Sequence, residues 1–219
     1  MTDSPLKGRW GYDLGPDDIE GRSFEIIDTL VDLEGNSPSE RALIHRIVHA
    51  TGDPSFASLI KWSPGALEAG ARALASGAPI VTDVEMARVG ISKVRAEKFG
   101  GSVHCFISDE EVRKEARERG LTRSVVAVER AAGMFPEAVF VFGNAPTALW
   151  RLLELADDGK ARPALIVGVV VGFVGAAESK EALMARSDIP WISVKGNKGG
   201  SNVAAAAANA LYKIAAGEF

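Results

Sequence analysis

The stretch RALIHRIVHATGD places His45, Arg46, His49 and Asp53 within nine positions. It combines imidazoles that titrate near neutrality with a fixed cation and a carboxylate. His45 and His49 are four apart and share a helix face, the spacing of a metal-ligand pair. The Glu of an HExxH motif is missing, and the third histidine, His104, is distant in sequence and beside the lone Cys105, so a metal site is not expected. The alternative chemistry makes one histidine a general acid or base, with Arg46, one turn before His49, holding an anionic substrate. A structural histidine on a partly buried helix face is the competing reading.

Three glycine turns form the second group. GVVVGFVG (Gly168 to Gly175), GNAPTAL (Gly143 to Leu149) and KGNKGGSN (Lys195 to Asn202) each follow an apolar run and open a helix. The first amides of a helix lack partners and its dipole favours negative charge, so Gly143, Asn144, Gly172 and Gly175 are candidate contacts for an anion, with Lys198 adding a cation. None of these turns is a dinucleotide fingerprint or a Walker loop, which argues against a nucleotide or flavin enzyme. Cys105 adjoins His104, but neighbouring strand residues point to opposite faces, so the two do not form a nucleophile and base. No GxSxG elbow occurs.

The elements that must position these residues follow from hydrophobic periodicity. Helices are expected from Pro16 through DDIEGRSFEIIDTLVDL, over SPSERALIHRIVHATG with Ser37 or Ser39 as cap, and over SPGALEAGARALASG. Strands and helices then alternate. PIVTDV, SVHCFI, AVFVFG, ALIVGVVV and PWISVKG read as strands, and the alanine-rich SNVAAAAANALYKIAAG closes the chain as a helix. Alternation of this kind implies right-handed βαβ units and a parallel sheet covered on both faces. The expected fold is a three-layer flavodoxin-like α/β domain with about five mainly parallel strands and extra N-terminal helices. Residues 1–15 are expected to form an arm or leader, and 16–219 one domain.

Composition narrows the function class. A net charge of −4 and a pI near 5.5 argue against a nucleic-acid or anionic-membrane binder. A single cysteine excludes an intramolecular disulfide, and the first residues lack an apolar signal region, so a cytoplasmic protein is expected.

RSFEII, RIVHATGD, GAPIVTDVEMARVGI, TRS, GNAPTAL, VGFVGAAESKEAL and KGGSNVAAA, in that order, resemble the precorrin-8X methylmutase family of corrin biosynthesis over nearly the whole chain. The resemblance implies a cofactor-free isomerase that moves a methyl group from C11 to C12 of a tetrapyrrole, giving hydrogenobyrinate or, in the cobalt route, cobyrinate. It implies a flavodoxin-like fold, a corrinoid partner and a homodimer. Carried over by motif, His49 is the catalytic residue, and Ser23, Arg46 and Arg123 bind substrate. The Cys-Gly that often follows the histidine in aerobic members is Thr51-Gly52 here, and GGSVHCFISD is more similar to the cobalt branch. A corrin precursor is a flat, apolar ring rimmed with carboxylates, which suits apolar walls with scattered cations. A non-catalytic corrinoid carrier is the remaining alternative.

Overall fold

The computed structural model describes residues 16–218, so the expected leader over 1–15 lies outside the described residues. Helix α1 (Pro16–Leu30) lies against α2 (Pro38–Thr51). Ser37 starts α2 through a capping box: its hydroxyl accepts from the Glu40 amide at 3.3 Å and the Glu40 carboxylate accepts from the Ser37 amide at 2.7 Å. A short helix α3 (Phe56–Leu59), strand β1 (Ile60–Trp62) and helix α4 (Ala66–Ala75) follow.

The alternating part begins at β2 (Ile80–Thr82). The chain then runs α5 (Glu85–Gly90), α6 (Lys93–Lys98), β3 (Val103–Cys105), α7 (Glu110–Arg119), α8 (Arg123–Met134) and β4 (Val139–Phe142). It ends with α9 (Pro146–Asp157), β5 (Leu165–Gly168), α10 (Ala176–Met184), β6 (Trp191–Val194) and α11 (Ser201–Ala216).

Among the described residues the sheet has six strands in the order β1-β6-β5-β4-β2-β3, where about five were expected. The added strand is β1, only three residues long and antiparallel to β6 at the edge, with Ile60 opposite Val194. IKW is too short to show a period, so periodicity passes over it. The remaining five strands are parallel in the order β3-β2-β4-β5-β6, the flavodoxin-like arrangement.

The winding reverses between β2 and β4, which sends the crossover helices to opposite faces. Strand residues alternate accordingly. Val139, Val141, Leu165 and Val167 pack with α2, α4 and α11, whereas Phe140, Phe142 and Ile166 pack with α8, α9 and α10. Burial on both faces explains why these strands read as continuous apolar runs. The run ALIVGVVV, expected as one long strand, keeps strand form only to Gly168; Val169 continues outward and its carbonyl accepts from Gly200 at 2.9 Å.

Candidate active site

The reversal point between β2 and β4 is where a fold of this type opens a crevice beyond the strand ends. Here that position is filled from within. The Asp83 carboxylate, 5% exposed, accepts the amides of Gly143, Asn144 and Ala145 at 2.9, 2.8 and 2.6 Å. Burial pushes the Asp83 pKa up and the three amides pull it down, burial having the larger effect. The anion cradle read from GNAPTAL therefore exists, but its occupant is a side chain of the same protein. The Gly143 and Asn144 amides are spent on Asp83, which leaves the exposed Asn144 side chain for a ligand. Gly143 also packs so closely on α11 that a Cβ there would lie 2.8 Å from the Ser201 Cα.

The two other glycine turns are bound to each other. Gly172 donates to the Asn197 carbonyl at 3.2 Å, and Lys180 Nζ donates to the Lys198 carbonyl at 2.6 Å. Lys180 is fully buried, and desolvation lowers its pKa to about 8. Lys198 Nζ in turn reaches Asp53 at 2.6 Å and Ser55 at 2.8 Å, and it holds the Asp53 carboxyl down at about 2. Asn202 donates to the Ala50 carbonyl at 3.3 Å. These bonds carry the turn Lys195 to Asn202 onto the C-terminal end of α2, the end that bears His49. Gly175 lies at the start of α10 with Phe173 and Val174 beside it, 90% and 91% exposed.

His49 is exposed and opens on a cavity of about 450 Å³ bounded by three elements. Arg46 and His49 form the α2 wall, and Gly90, Ser92 and Arg95 of the α5–α6 region form the opposite wall. The floor is α11, where Asn202, Ala205, Ala206 and Asn209 recur at i, i+3, i+4 and i+7 and so share one stripe. Asn209 fixes the far wall: its carbonyl oxygen accepts from the Ser92 amide at 2.9 Å and its amide donates to the Gly90 carbonyl at 2.9 Å. The result is a small apolar floor between basic and amide-bearing rims, in the size range of small-molecule clefts.

The two histidines of α2 separate here. His45 Nε2 lies 2.8 Å from the Asp28 carboxylate, its ring stacks on Phe24 at 4.9 Å, and it borders a different, smaller cavity. His49 meets the same Phe24 edge-on at 5.9 Å and faces the α11 floor. Ser23 adjoins Phe24 on α1, with its hydroxyl donating to the Ile19 carbonyl at 2.7 Å. Arg46 Nη1 donates to Glu20 at 3.0 Å, while its Nε is buried without a partner among the described residues. Burial raises the Glu20 pKa, but Lys213 and Arg46 together outweigh it and hold the carboxyl below its ordinary value.

Arg123 stands apart. It is exposed at the start of α8, on the other side of the sheet, and borders a cavity with Arg113 and Arg117. Thr122 links that region to the α9 start through a 3.4 Å contact with Thr147. Within one chain Arg46 and His49 share one cavity, Lys198 is bonded just beyond the end of α2, and Ser23 lies on α1 outside the cavity lining; Gly143, Asn144, Gly172 and Gly175 lie along the strand ends, and Arg123 is on a separate surface. Cys105 is half-buried and its thiol is pushed up to about 11 by desolvation, consistent with an unreactive group.

Sequence reading missed Ser92, Arg95, Ala205, Ala206 and Asn209. A signal for the floor was present: Asn202 and Asn209 interrupt an alanine helix two turns apart, which marks a polar edge on an otherwise packing helix. Arg95 carried none, since it lies in a charged segment indistinguishable from a solvated face.

Comparison with known proteins agrees with this architecture. The sequence profile of precorrin-8X methylmutase matches residues 18–214. The chain is 46% identical over 208 residues to the cobalt-precorrin-8 methylmutase of Salmonella typhimurium, covering 91% of this chain and 96% of that one. It is 44% identical over 194 residues to the precorrin-8X methylmutase of Pseudomonas aeruginosa, with 88% and 93% covered. Among solved structures, a precorrin-8X methyl mutase from Thermus thermophilus superposes with a TM-score of 0.83 at 40% identity, covering 91% of this chain and 97% of that one.

Proposed function

The chain belongs to the precorrin-8X methylmutase family, and from that premise we propose that it isomerises precorrin-8X or its cobalt form by moving a methyl group from C11 to C12, with His49 as general acid and base. The observation that carries the reading is the placement of His49 on the rim of the α11 cavity, beside Arg46 and apart from the carboxylate that engages His45. A methyl shift of this kind is an isomerisation, so no atoms are gained or lost. A proton delivered to a ring nitrogen draws electron density from the carbon that the methyl leaves, and the same group recovers the proton afterwards. An imidazole suits a proton that must be both given and taken back near neutrality.

In this reading the ring rests on Ala205 and Ala206, and its carboxylates are held by Arg46, Ser23 and Lys198, with Arg123 and the strand-end turns meeting more distant groups. A homodimer is proposed, because Arg123 lies on a surface of its own and reaches the same ligand only if a second copy brings it there. The reaction takes place in the cytoplasm without a cofactor. No helix among the described residues is long and apolar enough to cross a membrane.

The test is to incubate the protein with precorrin-8X and, separately, with its cobalt form, following the absorbance of each. Conversion by the wild type and its loss in His49→Ala, with corrinoid binding retained, is the expected result. Undiminished turnover in His49→Ala refutes the role of the histidine. Binding of both compounds without any spectral conversion by the wild type favours the carrier reading instead.

A further inference from the structure

We infer that Arg95 is a second carboxylate-binding residue of this cavity, and that Glu218 occupies it as an internal stand-in until substrate arrives. The inference rests on the corrinoid reading above and extends it to a residue on the opposite wall.

Two arginines border the cavity, from different helices, with the α11 floor between them. Each is matched by a carboxylate of the chain itself. Arg46 is paired with Glu20 at 3.0 Å, and Arg95 Nη2 with Glu218 at 2.8 Å. The two acids come from opposite ends of the described chain, one on α1 and one just past α11, and neither belongs to the walls. Arg95 is 27% exposed and Glu218 44% exposed, so the pair stands in contact with solvent. Pairs of this kind contribute little to stability, which makes their exchange for another carboxylate inexpensive. The backbone that carries Arg95 is fixed from behind, because Ser92 caps α6 with its hydroxyl accepting the Arg95 amide at 3.3 Å and its own amide is held by Asn209. A guanidinium on a fixed backbone, with an easily displaced partner, is suited to receiving a carboxylate in bidentate fashion.

A flat ring lying on Ala205 and Ala206 has edges on both sides. Arg46, Ser23 and Lys198 all hold the ring from the α2 side, so without Arg95 its edge towards α6 has no cation. Arg95 on the far edge fixes its rotation, and so determines which ring nitrogen faces the imidazole. Arg95 is accordingly assigned to binding and orientation.

The probe is hydrogenobyrinate, titrated by absorbance against the wild type, Arg95→Gln, Arg95→Lys and Glu218→Gln. Arg95→Gln is expected to weaken binding by about 10- to 100-fold, the size of a charge-assisted bond to a carboxylate. Arg95→Lys recovers part of the loss, and Glu218→Gln binds as tightly as the wild type or tighter, since a competitor has been removed. In turnover, Arg95→Gln raises KM by more than it lowers kcat, unlike His49→Ala. Equal binding by Arg95→Gln and the wild type overturns the inference. So does a loss in Glu218→Gln equal to that in Arg95→Gln, since the ion pair and not the cation would then matter. Circular dichroism of each variant identifies any that is unfolded, in which case Arg95→Lys supplies the comparison. If the wild type binds no hydrogenobyrinate at all, it is the corrinoid reading that fails.

Discussion

At the scale of single residues, Asp83 decides how the strand ends are used. A helix start with three aligned amides ordinarily invites a phosphate or carboxylate from solution. Here the chain supplies the carboxylate from the neighbouring strand and thereby locks the β2 end to α9. Replacing Asp83 with Asn presents one acceptor and one donor to three donors, and a buried group left unsatisfied costs about 1–3 kcal/mol. Asp83→Asn is therefore expected to lower stability by about that amount in urea denaturation. Asp83→Ala vacates the cradle, and added acetate should then restore part of the thermal midpoint; no effect of acetate would show that the amides are not open to anions. Tyr212 gives the opposite case. Its ring stacks on Phe99 and its hydroxyl is buried with no partner among the described residues, so the hydroxyl stays protonated, with its pKa pushed up to about 12. Tyr212→Phe removes the unpaired oxygen and keeps the ring, and is expected to raise stability by about 1 kcal/mol in the same assay.

At the scale of elements, the turn from Lys195 to Asn202 links the sheet to α2, the helix that carries His49, and its geometry depends on Gly199. That residue has φ +155°, and a Cβ on it would lie 2.1 Å from the Val169 carbonyl oxygen. Gly199→Ala must push β5's extension and this turn apart. The Lys198 contacts to Asp53 and Ser55 go with it, so the variant is expected to lose corrinoid binding by about tenfold or more, the weight of a charge-assisted contact, while the far-UV spectrum keeps its helical shape. This dependence was only half legible in the sequence. The alternating strands, the end of α2 at Gly52, its start to within the choice of Ser37 or Ser39, and the glycine turns themselves follow from periodicity and capping, which are local. What the turns hold does not, because Asp83 precedes Gly143 by sixty residues and Lys198 follows Asp53 by 145. Such pairings are decided by sheet order. The same limit applies to the site: His49 and Arg46 were visible as neighbours on one helix, whereas Arg95 enters only because Asn209 bonds the α5–α6 region to α11.

At the scale of the whole molecule, the buried Lys180 makes stability depend on pH in an unusual direction. Its ammonium is enclosed under the two C-terminal turns, and desolvation brings its pKa from the ordinary 10.5 down to about 8. Below pH 8 the lysine is charged in both the folded and the unfolded chain, and the cost of enclosing that charge is felt in full. Between about 8 and 10.5 the folded protein has released the proton while the unfolded chain still binds it. Stability must therefore rise with pH across this window, since it rises wherever the unfolded state binds more protons. The rise across the whole window is at most about 3.5 kcal/mol, because each tenfold difference in proton affinity between the two states is worth about 1.4 kcal/mol. Other groups titrate in the same range, so the decisive measurement is a difference. Urea unfolding of the wild type and of Lys180→Met is compared on either side of the folded-state pKa, near neutrality and close to the ordinary lysine value. The wild type should gain relative to the variant as pH increases, because neutral Lys180 still donates to the Lys198 carbonyl while no longer carrying a buried charge. A constant difference between the two proteins would mean that Lys180 keeps its proton throughout, through solvent or an anion reaching it between the turns.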